Sequence, residues 1–188
     1  MLGVALVLKN TQDRYGILSV LLHWVSLVLV VALFAVGLYM VGLTYYDPLY
    51  HELPEWHKLV GWILALMTAF RILWVFVSRP PEILATATWQ VVAAKAAHGL
   101  LYLLLLILPV TGYLISTAEG SSLTAFEWVL LPGIMELSPE LADWAGNLHL
   151  WAAWGLIGLG TLHGLAALKH HFLDHDSTLT RMLYIKGR

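Results

Sequence analysis

Four stretches of this chain, 18–41, 57–77, 97–117 and 147–168, are each about 20 residues of almost unbroken apolar sequence, and only Lys58 and Arg71 interrupt them with charge. At about 1.5 Å of rise per residue, each is long enough to cross about 30 Å of hydrocarbon as a helix. Water is absent there, so every backbone N–H and C=O must be satisfied within the protein, and for unbroken apolar stretches of this length that means helices. A chain of 188 residues that is 60% hydrophobic and 12% charged agrees with that restriction. The predicted fold is an all-α transmembrane four-helix bundle in which residues 1–188 form one membrane-integral domain. The first stretch exceeds the core of a cleavable signal, about 7 to 15 residues, and reads as a resident span.

Charge sorts the connections into two kinds. Lys9, Arg14, Arg79, Lys95, Lys169, Arg181, Lys186 and Arg188 flank one end of the spans. The connections 42–56 and 118–146 carry Asp47, Glu52, Glu55, Glu119, Glu127, Glu136, Glu140 and Asp143, and no Lys or Arg. Positive-inside bias therefore predicts that both termini are cytoplasmic and that the acidic loops lie outside. No basic, aromatic-laced surface supports nucleic-acid binding. Within the long second connection, 123–131 is read as either a short helix lying on the outer surface with Glu127 facing water or an irregular loop packed over the bundle mouth. Ser138-Pro139 is a helix-start signal. The polar tail carries an amphipathic piece near 178–184.

Histidine is the unusual polar component of the spans. His149 and His163 are fourteen residues apart in the fourth, just under four turns, so they share a face to within about 40° and differ in depth by about 21 Å. Arg71 stands at the same spacing beyond His57 on the second span. Topology places His57 with His149 at the outer level, and His23, His163 and His98 at the inner level. A single buried imidazole is most simply a satisfied interface residue, but an unpaired polar group in lipid is costly. Facing pairs at matched depths favour a bound metal. Haem iron held by two axial imidazoles explains both pairing and depth. Zinc, the main competitor, usually recruits further Cys, Asp or Glu ligands, and none adjoins the outer pair in sequence.

Cysteine is absent, which excludes thiolate ligation, iron–sulfur clusters and thioether-linked haem. Arg71 has two readings, snorkelling to the inner interface or clamping a haem propionate. His98 is a propionate partner, part of a quinone pocket, or a third candidate at the inner level. His51, His170, His171 and His175 read as residues of the membrane border. Most of the nine tryptophans fit interfacial belts or core packing. Glycines 155, 158, 160 and 164 in the fourth span allow close helix packing or leave room for a large flat ligand.

With these residues in view, the chain resembles the bacterial cytochrome b561 family. The matching pieces are the Tyr15 to Trp24 approach ending in Leu-His-Trp, Trp56-His57-Lys58 leading to Gly61, and Arg71 at the inner end of the second span. They continue through Ala97-His98-Gly99 to Tyr102, Leu108-Pro109-Val110-Thr111-Gly112, Leu148-His149, Leu162-His163-Gly164 and Lys169-His170-His171-Phe172. The resemblance implies two haem b groups, an inner one between His23 and His163 and an outer one between His57 and His149, in a multi-pass protein of the bacterial inner membrane. It also implies ubiquinone as a redox partner. Members resembling this chain include a superoxide:quinone oxidoreductase, and related cytochromes anchor periplasmic redox enzymes; both roles stay open here. Acidic outer loops fit poorly with attraction of an anion, since Lys58 is the one cation beside the outer pair.

Overall fold

The computed structural model describes residues 7–84 and 87–183. Four long helices dominate it, α1 (Ile17–Met40), α2 (Glu52–Val77), α3 (Thr88–Ser116) and α4 (Pro139–Phe172), and all four are long and apolar enough to cross a membrane. Successive helices run antiparallel. The start of α1 meets the end of α2 through Trp74 Nε1–H donating to Ser19 Oγ at 3.0 Å. At the opposite end, Gly37 of α1 lies against His57 of α2. The two ends of the bundle are therefore distinct: a termini end, and an end that carries the connections α1–α2 and α3–α4.

Three of the helices, α2, α3 and α4, begin well before the stretches read from hydropathy, whereas α1 matches its stretch to within one residue. α3 begins at Thr88 and α4 at Pro139, with Ser138 Oγ accepting the Leu141 N–H at 3.4 Å and Pro139 supplying the fixed backbone angle of a first turn. At about 1.5 Å per residue, the 34 residues of α4 span about 51 Å, so its first turns project past the hydrocarbon. Outward-facing side chains are apolar along the helices: Val28, Leu73, Phe76, Val110 and Leu162 are all more than half exposed. That inverts the pattern of a soluble bundle and suits lipid contact.

Packing is uneven. α1 packs chiefly on α2 and α3 chiefly on α4, whereas α2 meets α3 less extensively and α1 meets α4 only narrowly. The bundle is thus two helical hairpins set side by side. Few large side chains are buried between them: the core comprises Val20, Leu22, Leu64, Ala145, Ala152 and Leu156, with Ser26, Thr68 and Thr111 as its polar members. Each of those three hydroxyls donates to a carbonyl of the preceding turn, Ser26 to Leu22, Thr68 to Leu64 and Thr111 to Ile107, so none of them is stranded.

The 123–131 segment is neither a surface helix nor an irregular loop. It forms a β-hairpin, β1 (Leu123–Ala125) paired antiparallel with β2 (Trp128–Leu131), with a register irregularity after Leu123. Nine residues are too few to stabilise a helix alone, whereas Leu-Thr-Ala and Trp-Val-Leu-Leu pair as short strands and bury Leu123 and Ala125 at the bundle end against α2. Phe126, in the turn, has φ +53, a left-handed conformation that a non-glycine residue keeps only when its surroundings hold it there. The expectation of a segment packed over the mouth of the bundle agrees with this placement; that of irregular backbone does not.

At the termini end, the N-terminal segment folds back onto α2. Asn10 is the anchor: its N–H donates to Ser78 Oγ, its Nδ2 to the Ser78 carbonyl, and its Oδ1 accepts the Gly16 N–H, each at 2.8 Å. A short helix α5 (Thr178–Met182) lies within the amphipathic tail segment; residues 184–188 fall outside the described residues. α5 is tied across the end by Trp24 Nε1–H donating to the Met182 carbonyl at 2.7 Å and by Arg181 donating to the Glu82 carbonyl at 2.8 Å.

Candidate functional site

Every histidine singled out from the spans points across the interface between the two helical hairpins or lies beside one that does. Near the loop-bearing end, His57 of α2 and His149 of α4 have ring centres 6.3 Å apart at an interplanar angle of 61°. Near the termini end, His23 of α1 and His163 of α4 have the same 6.3 Å separation at 63°. His98 of α3 joins the second tier, with its ring 5.2 Å from His163. The sorting into one pair and one set of three, read from topology, matches these distances.

The separation itself is informative. A metal ion bonds an imidazole nitrogen at about 2 Å; two such bonds in line, plus the radius of a ring on either side, add to about the distance observed in both pairs. The 5.2 Å contact of His98 is shorter. The donor set also fits iron in a porphyrin better than zinc, because no carboxylate joins either pair: the sole His–carboxylate group of ligand-like spacing among the described residues is His170, Asp174 and Asp176, in the tail.

The surroundings of the first pair leave room for its rings. A Cβ at Gly37 would lie 3.3 Å from His57 Cε1, and one at Gly112 would lie 3.4 Å from His149 Cε1. Both glycines give their space to an imidazole of the neighbouring helix, so even a methyl group there would press on the ring. On α4, a Cβ at Gly158, Gly160 or Gly164 would meet nothing within 4 Å. The glycines that matter for the rings thus sit on α1 and α3, although the sequence made α4 look the richer source of space.

Hydrogen bonding distinguishes the two imidazoles of the pair. Thr111 Oγ lies 2.9 Å from His149 Nδ1, and it also lies 2.8 Å from the Ile107 carbonyl and 3.0 Å from that of Leu108. With its one proton on a carbonyl, the hydroxyl accepts from His149 Nδ1–H. That tautomer leaves Nε2 with a free lone pair, the arrangement that ligation needs. His57 Nδ1, by contrast, is buried without a hydrogen-bond partner. Thr111 is a site residue that the sequence did not reveal; its only signal was a hydroxyl in the Leu-Pro-Val-Thr-Gly run, and its partner lies 38 positions away.

The termini-end tier is more polar. Arg71 Nη2 is 3.4 Å from His23 Nδ1, and the guanidinium sits 5.4 Å from the centre of the Tyr102 ring. Tyr15, just before α1, is half-buried there; burial chiefly raises its phenol above the ordinary value, Arg181 and Arg71 pull it down, and Tyr102 adds to the rise. The remaining histidines stand apart from both tiers. His51 is edge-on to Tyr45 and Tyr50, His171 to Phe172, and His170 Nδ1 donates to Asp176 at 2.7 Å.

Four membrane-length helices, with imidazoles facing one another at two levels and no thiolate in the chain, define a membrane protein of the b-type cytochrome kind. A family model described as prokaryotic cytochrome b561 matches residues 14–184. The chain is 46% identical over 175 residues to cytochrome b561 homolog 2 of Escherichia coli (strain K12), covering 93% of each. It is 30% identical over 180 residues to the probable superoxide oxidase CybB of Yersinia pestis, covering 92% of this chain and 97% of that one. Cytochrome b561 homolog 1 of Escherichia coli (strain K12) is 28% identical over 179 residues. The chain belongs to the prokaryotic cytochrome b561 family, and is a multi-pass membrane haem b electron carrier.

Proposed function

We propose that the protein is a di-haem b electron carrier of the bacterial inner membrane that exchanges electrons with the quinone pool. The observation that carries this reading is the recurrence, at two depths, of the same 6.3 Å imidazole pair. His57 and His149 would hold one haem near the loop-bearing end, and His23 and His163 the other near the termini end, within a single domain. Haem b supplies a one-electron carrier; the chain supplies ligands, orientation and electrostatics. Charge bias supports an orientation with both termini in the cytoplasm.

Around the termini-end pair, Arg71 needs a role compatible with ligation. A guanidinium can only donate, so a bond to His23 Nδ1 would put the ring proton on Nε2 and occupy the ligating nitrogen. The reading therefore assigns Arg71 to a propionate carboxylate, which a guanidinium fork holds in bidentate fashion. His98, Tyr102 and Tyr15 gather at the same end and offer donors to a quinone oxygen. Tyr15, with its phenol raised, keeps its proton at neutral pH and so can hydrogen-bond as a donor.

Superoxide:ubiquinone oxidoreduction is the second reading, favoured by similarity to the relative named probable superoxide oxidase CybB. Service as the haem-bearing anchor of a periplasmic redox enzyme is the third, and it predicts co-purification of that subunit. The decisive measurement is haem quantified per chain with an absorption spectrum of the purified protein. Two low-spin b haems are expected; none would overturn the reading, and one would confine it to a single tier. Reduction of the protein by quinol in a detergent extract, or of quinone by superoxide in its presence, separates the first two readings.

A further inference from the structure

The loop-bearing half of the molecule contains one cation. From residue 15 to 70 and from 96 to 168 the chain has no Lys or Arg other than Lys58. Lys58 directly follows His57, at the point where a negatively charged reagent approaching that tier would find its only attraction. It is not free to provide it. Lys58 Nζ donates to Glu55 Oε1, one turn earlier on α2, and both side chains are about three-quarters buried, at 23% and 27% exposure.

Glu55 has a second task. Its other oxygen, Oε2, accepts the backbone N–H of Phe126 in the hairpin turn. Trp56 reinforces the contact, its ring edge-on to that of Phe126 with centres 5.0 Å apart. One carboxylate therefore cancels the cation beside His57 and pins the tip of the hairpin to the helix that carries His57. What is left around this end is negative: Asp47, Glu52, Glu119, Glu127, Glu136, Glu140 and Asp143 have no Lys or Arg to offset them.

We propose that Glu55 is a specificity-determining residue, setting the charge preference of electron exchange at the loop-bearing end so that cationic redox partners are accepted and small anions disfavoured. The inference rests on the reading that the His57–His149 tier holds a redox group, and it deepens that reading by naming the chemical class of the partner. Each exchange moves one electron between the partner and that group, with no bond made or broken. The field of the uncompensated carboxylates draws a cation in and repels an anion, and salt screens both effects over about 10 Å at 0.1 M. Superoxide, an anion, is on the disfavoured side.

The test compares two one-electron oxidants of opposite charge, hexaammineruthenium(III) and ferricyanide, with the reduced, haem-loaded protein in sealed vesicles oriented loop-end outward. In the parent, added salt should slow the ruthenium reagent and speed ferricyanide. Glu55→Gln keeps a carbonyl oxygen for the Phe126 N–H but releases Lys58, so the ferricyanide rate should rise by on the order of tenfold at low salt relative to the ruthenium rate. Adding Lys58→Gln to that variant should return the ratio toward the parent value. A second readout is independent of activity: hydrogen exchange across 123–131 should stay slow in Glu55→Gln and become fast in Glu55→Ala. Equal salt slopes for the two reagents, or an unchanged ratio in Glu55→Gln with the haem spectrum intact, would overturn the inference and leave the di-haem reading standing. A chain that carries no haem would overturn both.

Discussion

The two histidine tiers have the same ring separation and opposite surroundings. At the termini end, His23 and His163 are accompanied by a third imidazole, a guanidinium and two phenols. At the loop-bearing end, His57 and His149 meet two glycines, one threonine hydroxyl and a hairpin lid, and the nearest cation is paired. Under the di-haem reading, the common spacing fits a common occupant and the different neighbours would tune it differently. On that reading, a fixed positive charge favours the state that has gained an electron, so Arg71 would stabilise reduction of a haem held at its own tier. A hydroxyl that accepts the imidazole Nδ1–H makes the ring a stronger donor and favours the oxidised state. On these grounds the termini-end tier should have the higher potential.

The comparison is broken most directly by removing ligands. His149→Ala or His57→Ala should abolish one spectral component and His163→Ala or His23→Ala the other, each with loss of about one haem per chain; loss of the same component in variants from both tiers would defeat the pairing. Next in size is Gly37→Val, whose added methyl groups must displace the His57 ring. It should deplete the loop-end component selectively, whereas Gly158→Val, where a Cβ meets open space, should leave both components in place. Arg71→Gln should lower the termini-end midpoint potential by on the order of 60 mV, the equivalent of a tenfold change in a one-electron equilibrium, without moving the other. Thr111→Val, a change of similar volume, should raise the loop-end potential by a smaller amount, on the order of 20 mV. A redox titration resolving the two components checks both, and shifts in the reverse order would remove the proposed asymmetry.

The smallest expected effect concerns the tail. Burial raises the Asp176 carboxyl, but hydrogen bonds from Thr178 and the His170 ring outweigh it and hold the group below the usual carboxylate range. Because the folded value is depressed, the contribution to docking of α5 is present above the ordinary carboxylate pKa and is lost as pH falls through the depressed one. Asp176→Asn should therefore speed hydrogen exchange over Thr178–Met182 at neutral pH, with the difference from the parent vanishing in acid.

The spans were legible because the bilayer fixes their length, and the tiers because a fourteen-residue interval on a helix fixes a face. What escaped depended on partners distant in sequence. The hairpin consists of strands of three and four residues, individually without a strong signal, and it takes its shape from burial of Leu123 and Ala125 and from the Glu55 contact with Phe126. Thr111 looked like one more hydroxyl in an apolar run until His149 was brought to it. Polar residues hid the first two turns of α4, although Ser138-Pro139 marked its true start. Which ring Gly37 and Gly112 each accommodate is a property of the neighbouring helix and leaves no signal in the local sequence.

The narrow contact between α1 and α4 bears on how the cell makes this protein. Two helical hairpins that touch little leave most of the closed bundle's cohesion to whatever bridges them, and both imidazole pairs bridge them. A group that binds only the closed form adds stability that rises with the logarithm of its supply, about 4 kcal/mol at a thousand times its dissociation constant. Under the di-haem reading, newly inserted chains await their pigment as loosely joined halves, open to quality-control proteases. The amount of finished protein would then depend on the cell's supply of porphyrin as well as on transcription.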